Sequence, residues 1–477
     1  MVSAETKNKI DEYKKAKSDF SDYTYFEVEE SERKSQQELF LKGSEYTPHY
    51  EYPRLDGLRY DHELQSKKSS VYEAVLELEA AKEEYGEDSP ELEIYADYYE
   101  LRLKRIMLVE AARDLYQVHD SSEWEVAEHA FMNLNREVYG EFDIPRYRSM
   151  ITTEYDKVES FSAKSDEARS IKQDLLTCFG GIKSDQEREK PLLNDENLAK
   201  LHDAVIDRYS SILDSIPNTD DSIFYDADQC AQIINNTLSV SGLAKLGWDC
   251  EVNPSKTGVS TDTPKCHIFL PSNTRRNSNE LKRLVIHEQE VHARRAENGK
   301  KTGFKPLALG TADFTDVEEG LAVMLECAVA GTLDNASFNR VRDRYITAGL
   351  ALGVDGVSPP CNARQVHDVL WRMIAIRNSS DGEISNGDIE KAKKDAYVHV
   401  ENAFRGTEFW MSGVIYTKLK VYYEGLEKNA RFLAENIDNI NGTLDAVMIG
   451  KYNHTSEHER EVIASILENK QKYDEQI

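Results

Sequence analysis

The apolar positions of this chain fall mostly at helical spacing. Val71, Ala74, Val75, Leu78 and Ala81 recur at intervals of one, three and four residues and mark one face of a helix. Gly86-Glu-Asp-Ser-Pro90 interrupts that period, and a second helical run covers Leu92 to Tyr116. The period returns from 155 to 215, with a turn at Phe179-Gly180-Gly181, and again from 361 to the end, after a break at Ser358-Pro359-Pro360. Only Trp248 to Val252 and Cys266 to Leu270 read as short strands. Residues 1–59 are polar, with extended stretches near Tyr23 to Val28 and Tyr46 to Pro53. The pattern predicts a mainly α chain with a small β-sheet, an α+β class. The expected division is a polar segment at 1–59, a helical region at 60–195 and a third region at 196–477.

Charge narrows the partners. The chain carries 59 Lys and Arg against 87 Asp and Glu, a net charge of −28 over 477 residues. Such a surface disfavours nucleic acid and anionic membranes. The six cysteines, at 178, 230, 250, 266, 327 and 361, form no C-x-x-C pair and predict free thiols in a reducing compartment. The first residues carry no apolar stretch of the kind a secretory leader needs. The longest apolar run, Leu321 to Leu333, contains Glu326 and is too short for a membrane span. Cytoplasmic residence is the expectation.

Chemistry concentrates at His287-Glu288-Gln289-Glu290-Val291-His292, an H-E-x-x-x-H sequence. Two imidazoles and an adjacent carboxylate are what a zinc peptidase needs. The common helical spacing places the histidines at i and i+4, about 40° apart around the axis, whereas i+5 on a regular helix leaves them roughly 140° apart. The extra residue therefore predicts a π-bulge or kink across Gln289 to Val291. Asn277 followed by Glu280 has capping-box spacing, and Asn298-Gly299 supplies a stop, which predicts a helix over about 278 to 298.

A catalytic zinc usually takes three protein ligands. Asp316-Val-Glu-Glu-Gly-Leu-Ala322 opens an apolar helical run with two adjacent acids, and Gly320-Leu-Ala suggests close packing on a neighbour. Glu319 is the favoured third ligand beside His287 and His292, with Glu318 open. Glu288 is the expected general base. Glu326 is a candidate to orient a ligand histidine, and Glu290 is expected to be a solvated helix acid. The strand at 266–270 is a candidate edge for pairing with a peptide backbone.

These motifs resemble the microtubule-associated tyrosine carboxypeptidase family, whose bacterial members are named for a Gln-Glu-Gly-Leu-Ala motif. The H-E-x-x-x-H helix and Glu318-Glu-Gly-Leu-Ala322 carry the likeness, and they align the family's shared glutamate with Glu319. Phe404-Arg405-Gly406 resembles its F-R-G segment. Thr417-Lys-Leu-Lys-Val-Tyr-Tyr-Glu-Gly425 resembles T-K-D-x-x-Y-x-x-G, with Leu419 in place of aspartate. Tyr46-Thr-Pro-His-Tyr-Glu-Tyr52 resembles Y-N-P-x-F-x-Y.

The resemblance implies a mainly helical, zincin-like carboxypeptidase holding one Zn2+ per chain. It also implies a preference for an aromatic C-terminal residue on a peptide or protein tail. Residues 196–477 would then be catalytic. A carboxypeptidase also needs a cation for the terminal carboxylate, for which Arg405 and Lys418 are candidates through their motifs. It needs a donor to the developing oxyanion, for which Tyr422, before Tyr416, is the candidate. The net charge of −28 opposes an acidic tubulin tail. The alternatives are a zinc endopeptidase or aminopeptidase with the same core, or a protein that binds a peptide tail without cutting it.

Overall fold

The computed structural model describes residues 2, 3, 6, 25–43, 46–56, 58–86, 89–118, 122–180, 187–218, 220–254, 256, 258–354 and 359–474. Tyr23, Glu87, Asp88, Gly181 and Ser358, each part of an expected turn or extended stretch, lie outside them.

Helices dominate, as the spacing predicts. The first two long runs are helices Leu58–Tyr85 and Pro90–Gln117. Pro90 opens the second, where its missing N–H costs nothing and its fixed φ suits the first turn. Helices Trp124–Tyr139 and Ile144–Ser160 fill the stretch after the second run, the latter reaching into the helical pattern expected from 155. The polar 1–59 stretch also holds more helix than expected: Glu30–Lys42 is helical. Its one buried side chain, Phe40, packs on Tyr397 and His367. A single apolar anchor leaves no stripe in the sequence to find.

That N-terminal segment is fastened to the C-terminal half. Arg364 Nη2 donates to the carbonyls of Phe40, Gly43 and Tyr46, each at 2.9 Å. Tyr50 shares a hydroxyl hydrogen bond with Tyr397, and Gly406 N–H donates to the Tyr52 hydroxyl. Two of the segments that carried the family likeness, 46–52 and 404–406, thus meet each other and do so as packing. One continuous apolar core runs from the N-terminal residues through helix Glu457–Asp474. Among the described residues no helix is long and apolar enough to cross a membrane.

The sheet has three strands, β1 (Asp249–Val252), β2 (Ser260–Asp262) and β3 (His267–Leu270), in the order β1-β3-β2. β3 pairs parallel with β1 and antiparallel with β2. The expected peptide-pairing edge at 266–270 is therefore the central strand, with both edges already used. The free edge near the site belongs to β2, three residues too short and too polar to read as a strand.

Helix Phe314–Ala330 carries the two candidate acids and crosses helix Lys420–Glu435 at glycine. A Cβ on Gly320 would stand 2.1 Å from the Gly425 carbonyl carbon, and one on Gly425 would stand 1.9 Å from the Asp316 carbonyl oxygen. Backbone meets backbone, so neither side can yield by rotating a side chain. Gly-to-Ala in an ordinary helix interior stabilises by about 0.5–1 kcal/mol. Here overpacking outweighs that gain, and Gly320→Ala should lower stability by about 1–3 kcal/mol. A urea-unfolding midpoint equal to or above wild type would refute the crossing as described.

Candidate metal centre

Asn277 starts the helix that carries the histidines. Its side chain accepts from Glu280 N–H, and Glu280 accepts from Asn277 N–H, the reciprocal cap that the spacing predicts. The helix is regular over Ser278–Leu284, becomes π-helical over Val285–Ala293, and is regular again over Arg294–Thr302. In a π-turn the hydrogen bonds run i to i+5, so residues five apart stack as those four apart do in an α-helix. The expected kink across Gln289 to Val291 is thus a nine-residue π segment. It brings the His287 and His292 rings to 5.0 Å between centroids.

The helix outlasts its expected stop at Asn298-Gly299. Gly303, at φ 70°, is the residue that ends it. Gly299 serves close approach instead, since a Cβ there would meet the Leu307 carbonyl oxygen at 2.0 Å.

Helix Phe314–Ala330 faces the two rings and separates its acids by role. Glu319 lies 3.9 Å from His287 Nε2 and 3.9 Å from His292 Nε2. One atom from each of His287, His292 and Glu319 falls within 4.8 Å of the others, so the three could hold one metal ion. Glu318 turns behind and meets His292 Nδ1 at 2.8 Å. Glu326, two turns further on, meets His287 Nδ1 at 2.5 Å, and Ser337 donates to its other oxygen.

Each ring therefore gives its Nδ1–H to a carboxylate, which leaves the Nε2 lone pair for a cation. The donor set of two imidazole nitrogens and one carboxylate oxygen, with both rings held in the right tautomer, fits a transition metal such as zinc. Burial opposes charge on the His287 ring, but Glu326 outweighs it and pushes the imidazole up to about 9. A carboxylate at Nδ1 pulls on any positive charge at the ring, whether that charge is a proton or a bound cation.

Glu318 is buried. Burial alone would raise its carboxyl, but Lys451 and Arg295 outweigh that and hold it well below the ordinary range. Lys451 Nζ and Arg295 Nη1 each lie 2.9 Å from it. Arg295 also donates to the Val447 and Tyr452 carbonyls. His454 beside it is kept neutral by burial and by Arg295.

Glu288 is 7 % exposed, with Thr261 of β2 donating to its carboxylate at 2.7 Å. Glu290, expected in solvent, is buried against Gln289 and Arg294.

The triad lines a cleft of about 810 Å³ together with Glu288, residues 258–261 and Tyr422. Arg405 and Lys418 do not line it. Arg405 caps helix Asn386–Phe404 and is held by Asn402 at 2.9 Å, with Glu401 at 4.0 Å. Lys418 borders a separate hollow beside Asp313 and Asp316. The cations that line the cleft with the triad are Arg276, Arg283, Arg340, Arg344 and Lys451, none of which the motifs marked. One signal was available: Arg340 and Arg344 are four apart and share a helix face, while Arg342 between them points elsewhere.

Residues 186–353 match the family model described as microtubule-associated tyrosine carboxypeptidase, the family that the motifs resemble. That span includes the triad, Glu288, Glu318 and Glu326. The segments around 46–52, 404–406 and 417–425 lie outside it. No curated protein matches the chain.

Glu318→Gln would leave Arg295 and Lys451 buried against a neutral amide. Stability should fall by about 3–5 kcal/mol and metal affinity by about 10- to 100-fold. Glu319→Gln, at a side chain 29 % exposed, should lose the metal with little loss of stability. Guanidinium unfolding and zinc titration of both variants measure this split. Equal stability losses for the two would contradict the division of roles.

Proposed function

We propose that the chain is a Zn2+-dependent, zincin-like carboxypeptidase. It removes the last residue, with a preference for tyrosine or phenylalanine, from a peptide or protein tail. The observation that carries this reading is the convergence of His287, His292 and Glu319 beside Glu288, inside a cleft and within the span that matches the family model. The aromatic preference rests on the family's description alone.

Zinc bound there would supply Lewis acidity and a water acidified toward neutral pH. Glu288 takes the proton of the attacking water and returns it to the leaving amine. It lines the cleft with the triad, and the Thr261 hydroxyl donates to its carboxylate and orients it. Tyr422 lines the same cleft and is the candidate donor to the developing oxyanion. The β2 edge offers backbone groups for an extended peptide. Residues 196–477 are the catalytic region on this reading. The preceding helices buttress it, as Tyr139 does through its hydroxyl contact with Tyr416.

The substrate follows from chemistry more than from the family's usual partner. A net charge of −28 opposes docking on an acidic tubulin lattice. A free tail reaching the cleft meets arginines instead.

A mixed peptide set incubated with the zinc-loaded protein and read by mass spectrometry should lose single residues from C-termini. A chelator should stop the loss. Glu288→Gln should slow it by about 10²- to 10⁴-fold while zinc stays bound. Internal cuts would replace this reading with an endopeptidase, and undiminished activity of Glu288→Gln would remove the base.

A further inference from the structure

Helix Ala336–Leu352 forms one wall of the cleft. It presents Ala336, Ser337, Arg340, Val341 and Arg344 there, the three- and four-residue spacing of a single face. In a chain with 87 acids and 59 basic residues, carboxylate partners for arginine are plentiful. Arg342, on the other side of this helix, ion-pairs with both Glu154 and Glu189. Arg340 and Arg344 do not: among the described residues no carboxylate lies within salt-bridge distance of either. Arg340 is exposed to the water of the cleft. The Arg344 guanidinium lies 4.6 Å from the centre of the Tyr422 ring, and its Nε is buried without a hydrogen-bond partner.

The surroundings make this pair costly while it faces water alone. Each arginine disfavours the other's charge at four-residue spacing. Behind them, the His399 imidazole is pushed down to about 3 by burial and then by Arg344 and Arg340, so it stays neutral beside them. Glu326 and Glu319 act on Arg340 from beyond salt-bridge distance, but among the described residues neither arginine has a carboxylate in direct contact, and two adjacent guanidinium groups lining a cleft suit an anion. Their planar forks suit a carboxylate held in two-point contact.

We propose that Arg340 and Arg344 form the subsite for the α-carboxylate of the substrate's last residue. The assignment rests on the carboxypeptidase reading above and replaces Arg405 and Lys418 in that role. Ser337, which supports Glu326 and through it His287, stands three residues before Arg340. An anchor one residue beyond the scissile carbonyl is what turns a zinc peptidase into an exopeptidase.

The test uses one tyrosine-ended hexapeptide made as free acid and as carboxamide, each with and without an internal glutamate. Zinc-loaded wild type should cleave the acids far faster than the amides. Arg340→Gln with Arg344→Gln should raise KM for the acids by about 10- to 100-fold per arginine. kcat should change less, and cleavage of the amides should change little. Arg340→Lys with Arg344→Lys should restore part of the affinity, which a folding defect would not allow. Calorimetric binding of the same peptides to Glu288→Gln, with and without the arginine substitutions, tests the subsite apart from turnover.

Preference for acid over amide that survives the double Gln variant would overturn the proposal and leave the zinc peptidase standing. Loss of affinity that tracks the internal glutamate, not the terminus, would overturn it in favour of side-chain recognition. Absence of cleavage by wild type, with acid-selective binding that needs the arginines, would sink the enzyme reading and keep the subsite.

Discussion

Everything at the centre depends on one inserted residue in a helix. Histidines at i and i+5 point to different sides of an α-helix, and no change of rotamer repairs a difference of about 140°. The π segment over Val285–Ala293 repairs it in the backbone and sets the two rings 5.0 Å apart. A π-turn has poorer packing than an α-turn and needs support from outside. That support is specific. Thr237 donates to buried Gln289 at 2.7 Å, and Gln289 in turn donates to Glu290. Val285, Ile286, Val291 and Ala293 are buried on the core side. Gln289, Glu290 and Val291 are thus neither spacers nor ligands. They hold the wide turn in place.

A second constraint is how near the acidic helix can come. Glu319 reaches both rings because helix Phe314–Ala330 is pressed forward from behind by helix Lys420–Glu435, glycine against glycine. Behind the triad lies a charge cluster that is costly to bury. Glu318 faces two cations in the interior, and removing one member of such a set costs about 3–5 kcal/mol. The arrangement gains geometry from that expense. A carboxylate pinned by Lys451 and Arg295 cannot swing round to take the place of Glu319 beside the rings, and it keeps the His292 ring facing forward. Glu326 does the same for His287, held by the neutral Ser337 hydroxyl in place of two cations.

The sequence made the centre legible because its spacing is chemical. H-E-x-x-x-H, the capping box at Asn277 and Glu319 within Glu-Glu-Gly-Leu-Ala each follow from local rules. Helices with a clear apolar stripe were equally readable. What escaped was whatever depends on a partner distant in the chain. Gly299 reads as a stop until Leu307 is seen against it. β2 is three polar residues whose pairing with β3 alone makes them a strand. Arg405 reads as a cation available to substrate, yet the backbone around it serves to receive Tyr52. Motif membership marks a residue as constrained and leaves open whether packing or chemistry imposes the constraint.

Charge shows the same distinction between composition and place. A net charge of −28 describes the surface as a whole and argues against acidic partners. A cleft focuses field from the charges that line it, and those walls carry Arg276, Arg283, Arg340, Arg344 and Lys451. Lys451 is neutralised by Glu318, but the four arginines have no carboxylate within salt-bridge distance among the described residues. On the proposed reading the acidic net charge disfavours anions at the surface at large, and an anionic chain end would be favoured where the arginines gather beside the triad. If the chain is a carboxypeptidase, selectivity for a terminus over the body of a protein would begin with that contrast.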